Sequence, residues 1–409
     1  MTNQMDIFSI GCEQFKFNKP IRLIELFAGY GSQALSLKYL GVPFEHHRIC
    51  EWAIPSIQAY KDLHMTDDNT DYSKDMTLDE VGDYLYSRGI SSDYNKPVTR
   101  KYIARLKDKE RVIYNNIKAT NNLVSVCNVK GEELGITETD KYTYVLTYSF
   151  PCQDLSSAGL GKGMAKGSNT RSGLLWEVER ILSECKEKPQ VLLMENVPEV
   201  IGTKNKDHFF EWIKRLDEWG YNSRWQIMNG TDFNMPQNRK RCFMVSVLGD
   251  YFYHFPQAEG CQLRLKDMLE SNVDEKYYLS DTIIKFFIDN TRTNEEKGNG
   301  FKFSPTTDAD VIAKCITTRA GGRMDDNFIA LDEQNGKLRL DGTIGTLTTD
   351  GSSPKHNNRV IELGNSILSV ALNETERFKT KPMKDVAKTL LSNKANCGGG
   401  VIEWTKNTK

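Results

Sequence analysis

The sequence predicts an α/β protein: a doubly wound, mostly parallel sheet with a smaller β-rich second domain. Three observations carry this. Between residues 21 and 247, short apolar segments alternate with segments whose apolar residues recur at helical spacing. Several of the apolar segments stop at turns bearing glycine or proline. After about residue 250 the alternation gives way to threonine-rich strand segments that repeat. The domains read from this change are 1–250, with a helical insertion at about 65–140, and 251–409.

In chain order, residues 21–27 form the first apolar strand, broken by Ala28-Gly29-Tyr30-Gly31. Ala34, Leu35, Leu37 and Leu40 then mark a helix. Residues 144–149 form a strand ending at Phe150-Pro151-Cys152. Leu174, Leu175, Val178, Ile181 and Leu182 share one helical face. Residues 191–194 are a buried strand, Phe209, Phe210, Ile213 and Leu216 mark a further amphipathic helix, and residues 242–247 close the series as a strand. The interruption at 65–140 is polar, charged and rich in tyrosine, with a helical stretch at 78–86. Beyond 250, a helix at 283–288 leads into a polar linker at 289–300. Ala313-Lys314-Cys315-Ile316-Thr317-Thr318 is echoed by Ile344-Gly345-Thr346-Leu347-Thr348-Thr349 and by Ala387-Lys388-Thr389-Leu390-Leu391-Ser392. Each copy precedes a turn and an apolar pair, Phe328-Ile329, Val360-Ile361 or Val401-Ile402, the pattern of strand–turn–strand units.

Composition excludes more than it identifies. A net charge of −1 over 409 residues rules out a chain that binds polyanions by global charge, so any such surface is local. Nine cysteines without a C-x-x-C pair argue against a disulfide framework or a zinc site and for a reducing cytoplasm. No secretory leader and no apolar run long enough to span a bilayer are expected.

Four segments carry chemistry. Glu25-Leu26-Phe27-Ala28-Gly29-Tyr30-Gly31-Ser32 is a strand entering a glycine turn and then a helix, where backbone can approach a ligand closely. It is not the dinucleotide G-x-G-x-x-G pattern. Twenty residues on, Glu51 ends the next strand, where an acidic side chain takes ribose hydroxyls, and Trp52 can cover an adenine ring. Read alone, this pair is equally a surface dipeptide. Ser149-Phe150-Pro151-Cys152-Gln153 puts a cysteine just past a strand end, either as an inert core thiol or as a nucleophile. The Gly/Ser/Lys-rich run at 156–171 beside it has the composition of a lid. Met194-Glu195-Asn196-Val197-Pro198 ends a buried strand with a carboxylate, which must be paired or used. Gln237-Asn238-Arg239-Lys240-Arg241 is either a solvated charge run or a site for an electron-rich heterocycle and phosphate.

In this order, the four segments resemble the conserved blocks of bacterial and phage DNA cytosine-C5 methyltransferases. The likeness covers residues 21–247, and Thr170-Arg171-Ser172-Gly173-Leu174-Leu175-Trp176-Glu177 is especially similar to mycoplasma-type CpG enzymes. The resemblance implies a class I, Rossmann-like methyltransferase fold, S-adenosyl-L-methionine as cofactor, and double-stranded DNA as partner, in restriction–modification. It implies cofactor binding by Phe27, Ala28, Gly29, Gly31, Glu51, Trp52, Asn128 and Pro151. It implies catalysis by Cys152 as nucleophile, Glu195 at the N3 and amine edge of a flipped cytosine, Arg241 at the O2 edge, and Arg239 on phosphate or the loop. On this reading, the insertion is either a solvated excursion or a DNA-contacting surface.

The pattern departs in two places. The acidic residue usual after the third strand is missing, and Asn128 is the candidate to replace it. The arginine-containing block before the last motif is also missing. Gly364-Asn365-Ser366-Ile367 is either the terminal motif, followed by a helix that completes the cofactor pocket, or an inter-repeat loop. If it is a loop, either the polypeptide is truncated or a second polypeptide supplies the missing piece. The alternative function is then a silent or incomplete DNA-binding relative. A thiol hydrolase is disfavoured, because none of the six histidines stands in a Cys–His context. Target recognition is expected in residues 304–404, with Thr317, Arg319, Arg323, Thr348 and Lys355 as base readers.

Overall fold

The alternation produces the expected sheet in the computed structural model. The structure describes residues 13–155, 163–168, 170–269, 279–298, 300, 302–306, 310–315, 324, 326–332, 337–338, 359–362, 387–390 and 401–404. Two compact units divide the chain: Met1–Met228 with Lys240–Pro256, and Asn229–Arg239 with Gln257–Lys409. The elements up to residue 256 are β1 (Glu13–Gln14), β2 (Ile21–Leu26), α1 (Ser32–Tyr39), β3 (Phe44–Cys50), α2 (Ile54–His64), α3 (Leu78–Arg88), α4 (Arg100–Ile103), α5 (Lys109–Ala119), β4 (Thr143–Tyr148), α6 (Leu175–Glu184), β5 (Val191–Asn196), α7 (Lys206–Glu218), β6 (Tyr221–Asn229), β7 (Gln237–Asn238), β8 (Lys240–Leu248) and β9 (Tyr251–Phe252).

The first unit is built on a six-stranded sheet in the order β3-β2-β4-β5-β8-β6. β2 runs parallel to both β3 and β4, β4 runs parallel to β5, and β8 is antiparallel to β5. The chain leaves β2 toward β3 on one side and later fills β4 on the other. That reversal opens a crevice at the carboxyl ends of β2 and β4, where α/β sheets place their ligands. The core joins Ile24, Leu26, Tyr144, Leu146, Tyr148, Leu192 and Met194 of the strands to Leu175, Val178, Ile181 and Leu182 of α6 and to Phe209, Trp212 and Leu216 of α7. Trp212 Nε1–H donates to the buried Tyr148 hydroxyl at 3.0 Å. Phe210, expected on the buried stripe of α7, is 50% exposed. The buried stripe runs 209, 212, 216, and at 100° per residue position 210 falls off it.

The insertion carries α3, α4 and α5 and has its own apolar core. Val81, Leu85, Ile103, Ile113 and Ile117 pack together with Ile57 of α2. Thr77 and Glu80 form a capping box at the start of α3, and Gly89 ends it at φ 73°.

The second unit contains α8 (Asp281–Glu296), β10 (Ala313–Lys314), β11 (Phe328–Asp332), β12 (Lys337–Leu338), β13 (Arg359–Glu362), β14 (Ala387–Leu390) and β15 (Val401–Trp404). The linker expected at 289–300 is largely helix. Thr291 and Thr293 turn their hydroxyls back to the carbonyls of Phe287 and Asp289, four residues earlier, so these polar side chains are accommodated within α8. The third repeat is the expected strand pair: Ala387 opposes Trp404 and Leu390 opposes Val401. The first copy is not a strand–turn–strand unit. β10 pairs in parallel with β7, and β11 pairs with β12 and β13. Residues 344–349, and the base-reader candidates Thr317, Arg319, Arg323, Thr348 and Lys355, lie outside the described residues. Among the described residues no helix is long and apolar enough to cross a membrane, and no cluster of metal-ligating side chains occurs.

Candidate active site

The side expected to hold the cofactor begins where β2 ends. Phe27, Gly29 and Gly31 all take left-handed backbone, at φ 58°, 56° and 77°. Gly31 begins α1, and a Cβ there would lie 2.4 Å from His64 Nε2 and 2.5 Å from the Tyr60 ring, so only glycine fits. Ala28 N–H donates to the Cys50 carbonyl at 3.0 Å, which ties the turn to the end of β3. Glu51 follows directly. It is buried, and its two oxygens accept the N–H groups of Gly29 and Ala53, each at 2.8 Å. Burial pushes its pKa up to about 7 against the pull of these hydrogen bonds. Trp52 N–H also donates to this carboxylate, and a carboxylate offers about four acceptor positions, so roughly one remains for a hydroxyl donor. A buried acceptor next to a left-handed glycine turn and a half-buried tryptophan fits a ribose–adenine ligand.

Beneath the turn lies a second buried carboxylate. Glu25 Oε2 accepts the Tyr60 hydroxyl at 2.6 Å, and its Oε1 accepts Ala34 N–H at 3.3 Å. Burial raises its pKa to about 7.

The residues expected to be catalytic sit at the neighbouring strand ends. β4 runs into Phe150, which is buried, and then Pro151 and Cys152, which are half-buried. The Pro151 carbonyl accepts the hydroxyl of the fully buried Ser172 at 2.7 Å. Trp176 Nε1–H donates to the Met164 carbonyl at 2.8 Å, anchoring the far flank of the glycine-rich run. Residues 156–162 and 169 of that run are outside the described residues. At the end of β5, Asn196 Nδ2–H donates to the Phe150 carbonyl at 3.0 Å, while its Oδ1 accepts Val197 N–H at 2.8 Å. One amide thus fixes the strand end carrying Glu195 against the strand end carrying Cys152. Glu195 Oε1 pairs with Arg241 Nε at 2.9 Å. Arg241 stands at the start of β8, and the antiparallel register, Asn196 opposite Cys242, brings it to the carboxyl end of β5. Cys242 itself is fully buried, and burial together with the Glu195 charge pushes its thiol up to about 12. It is a core thiol, whereas Cys152 has access to solvent.

The first unit therefore gathers Phe27, Ala28, Gly29, Gly31, Glu51, Trp52, Pro151, Cys152, Glu195 and Arg241 at one edge of its sheet. Two expected residues are placed elsewhere. Asn128 is exposed, and its amide hydrogen-bonds the Arg88 carbonyl at the end of α3. A different asparagine serves the Glu51 strand end. Asn122 is buried, accepts Glu51 N–H at 3.0 Å and donates to the Glu51 carbonyl at 2.8 Å. Arg239 belongs to the second unit, where its guanidinium donates to the Cys315 thiol at 3.4 Å.

Comparison with known proteins follows the same residues. A family model described as C-5 cytosine-specific DNA methylase matches residues 91–383, which include Cys152, Glu195 and Arg241. The match runs through Gly364-Asn365-Ser366, whose structure lies outside the described residues. The expectation of a second polypeptide finds no support in it. The orphan methyltransferase M.SssI of Spiroplasma monobiae is 36% identical over 269 residues, 65% of this chain and 69% of that protein. The type II methyltransferase M2.ScrFI of Lactococcus lactis subsp. cremoris is 36% identical over 265 residues, 64% of this chain and 71% of that one. Among solved structures, the Entamoeba histolytica methyltransferase EhMeth shares the fold with a TM-score of 0.52 at 14% identity, covering 88% of this chain and 92% of its own. The chain belongs to the C-5 cytosine-specific DNA methylase family.

Proposed function

We propose that this chain uses S-adenosylmethionine to methylate C5 of a cytosine swung out of double-stranded DNA, through a covalent bond to Cys152. The observation that carries the reading is the Asn196 bridge, which fixes the Cys152 loop beside the Glu195–Arg241 pair. Glu51 would hold the ribose hydroxyls of the cofactor and Trp52 would cover its adenine. When bound, the cofactor supplies an electrophilic methyl group.

Cytosine C5 is a poor nucleophile. Addition of the Cys152 thiolate at C6 turns the C5–C6 bond into an enamine-like carbon nucleophile at C5. Glu195 hydrogen-bonds the N3 and amine edge and favours protonation at N3, which stabilises the adduct. Arg241 holds Glu195 in line through their ion pair and presents positive charge to the O2 edge of the ring. C5 then takes the methyl group, a base removes the C5 proton, and the C6–sulfur bond breaks with its electron pair going to sulfur, which returns the Cys152 thiolate and leaves the C5–C6 double bond restored. A base inside a duplex is out of reach of Cys152, so the nucleotide is extruded. The second unit, with its paired strands, would select the target sequence.

The test is a denaturing gel with duplex DNA containing 5-fluorocytosine, whose C5 fluorine blocks the final elimination. The parent chain should give a protein–DNA adduct that needs the cofactor. Cys152→Ser should give none, while binding the cofactor within a few-fold of the parent. An adduct in the serine variant, or near-normal methyl transfer by it, would remove Cys152 from the chemistry. Bisulfite sequencing of DNA from cells expressing the chain reads out the target.

A further inference from the structure

The loop between α3 and α4 touches the glycine-turn side of this site and, through Arg171, the residues that follow Cys152. Ser91 N–H donates to the Trp52 carbonyl at 2.7 Å, and Ile54 N–H donates to the Ser91 carbonyl at 2.8 Å, so the loop starts on the cofactor edge. It closes on itself through Ser91 Oγ–H to the Lys96 carbonyl at 2.7 Å, and through the Asp93 carboxylate, which accepts the N–H of Asn95 at 2.9 Å. Tyr94 is held at φ 58°, a strained conformation for a bulky residue that persists only where its surroundings impose it. Its hydroxyl lies 2.6 Å from Ser56 Oγ on α2 and also hydrogen-bonds Tyr30 of the glycine turn. The next residue, Asn95, accepts through Oδ1 from the Arg171 guanidinium. The other arm of that guanidinium donates to Gln153 Oε1 at 2.6 Å, one residue beyond Cys152, and Arg171 N–H donates to Asp154 Oδ2 at 2.8 Å.

We propose that Asn95 is a positioning residue for the nucleophile. Arginine has a long side chain with many rotamers, and its fork orders a partner only when it is held at more than one point. Asn95 is the second point. It fixes Arg171 from the side opposite Gln153, and Gln153 and Asp154 in turn fix the backbone that carries Cys152. Because Tyr94 rests on Tyr30 and Ser91 on Trp52, order in the cofactor edge passes through a single short loop to the nucleophile. The insertion thereby has a task that neither a solvated excursion nor a DNA-contacting surface describes. The inference rests on the methyltransferase reading for its catalytic consequence, but not for its structural one.

Two readouts on the full chain keep these apart. In hydrogen exchange, Asn95→Ala should raise the exchange rate of residues 150–155 while leaving β2 and β5 as in the parent. Asn95→Asp, which keeps an acceptor toward Arg171, should restore the parent rate. In methyl transfer, Asn95→Ala should lower kcat about tenfold, the size of one lost charge-assisted hydrogen bond, with KM for S-adenosylmethionine within about twofold. Asn95→Asp should stay within about threefold of the parent, and Asn95→Ala should add little to Arg171→Ala, since both break one link. Unchanged exchange at 150–155 in Asn95→Ala overturns the proposal, whatever the activity. So does equal damage from both Asn95 variants, or a rise in kcat on losing the contact, which would make it a brake. A parent chain without methyl transfer would count against the methyltransferase reading alone, since the exchange experiment still decides the role of Asn95.

Discussion

In the proposed role of holding ribose hydroxyls, Glu51 accepts best when charged, and burial puts its pKa at about 7, well above that of a free carboxylate. Below that pH the protonated form has fewer acceptor positions. Cofactor affinity should therefore fall as pH drops from 8 to 6. Glu51→Gln should flatten that dependence and weaken binding at pH 8 by about 1–3 kcal/mol, the range for a hydrogen bond involving a charged group. Calorimetry at three pH values checks both, and a Gln variant with the parent's pH profile would exclude Glu51 as the titrating group. Glu51 is legible in the sequence because a carboxylate ending a strand is a local signal. Asn122 is not, since it acts on backbone 71 residues away. An amide between Asn121 and Leu123 has no signature of its own, and Asn128 drew attention only by standing where an acidic residue was sought. Asn95 is silent for the same reason: its partner, Arg171, lies 76 residues on.

Elements that bury both faces are easy to read, and half-buried ones are not. β2, β4, β5 and the core of β8 are apolar runs bounded by turns, and they form within two residues of expectation. β6 escapes notice. It is one of the two edge strands, and its outward residues Trp225 and Ile227 are 38% and 39% exposed between polar neighbours, so no apolar run marks it. The insertion misleads in another way. Val81 and Leu85 fall in the helical stretch read at 78–86, but the charged and amide residues around Ile113 and Ile117 leave α5 unmarked, although all four side chains are fully or almost fully buried. Leu85→Ala should cost roughly 2–5 kcal/mol, as for other leucines deleted from a packed core. Ile57 of α2 belongs to the same cluster, and Ser91 pairs with the Trp52 strand end. The insertion and the cofactor edge should therefore lose structure together, as one shifted thermal transition, with cofactor affinity falling in step. Two separate transitions would mark the insertion as an independently melting body.

At the scale of the whole molecule, burial of charge sets a pH dependence of stability. Glu25 is raised to about 7 in the folded chain, so the native state binds a proton that the unfolded chain releases near pH 4.5. Its contribution is fully present below that pH and is lost as pH rises through 7. His46 and His64 are lowered by burial, and by the Lys38 charge, to about 4 and about 3. Their contribution is present above 6.5 and is lost as pH falls through those values. Over the range between, the two effects oppose each other. Glu25→Gln removes one of them, so between pH 5 and pH 8 the variant should gain roughly 2–3 kcal/mol on the parent, from a shift of over two pKa units at about 1.4 kcal/mol each. Urea denaturation at both pH values measures this difference, and parallel curves for the two proteins would show that Glu25 does not titrate there. The path of the chain between its units has a different consequence, for chimaeras. The second unit takes Asn229–Arg239 out of the middle of the first and then everything after Pro256. A graft that exchanged the sequence after Pro256 alone would leave Gln237 and Asn238 behind and separate them from the Ala313–Lys314 strand they pair with. Exchanging the second unit between relatives therefore needs two coordinated splices, and recombination that makes only one yields a mismatched hybrid.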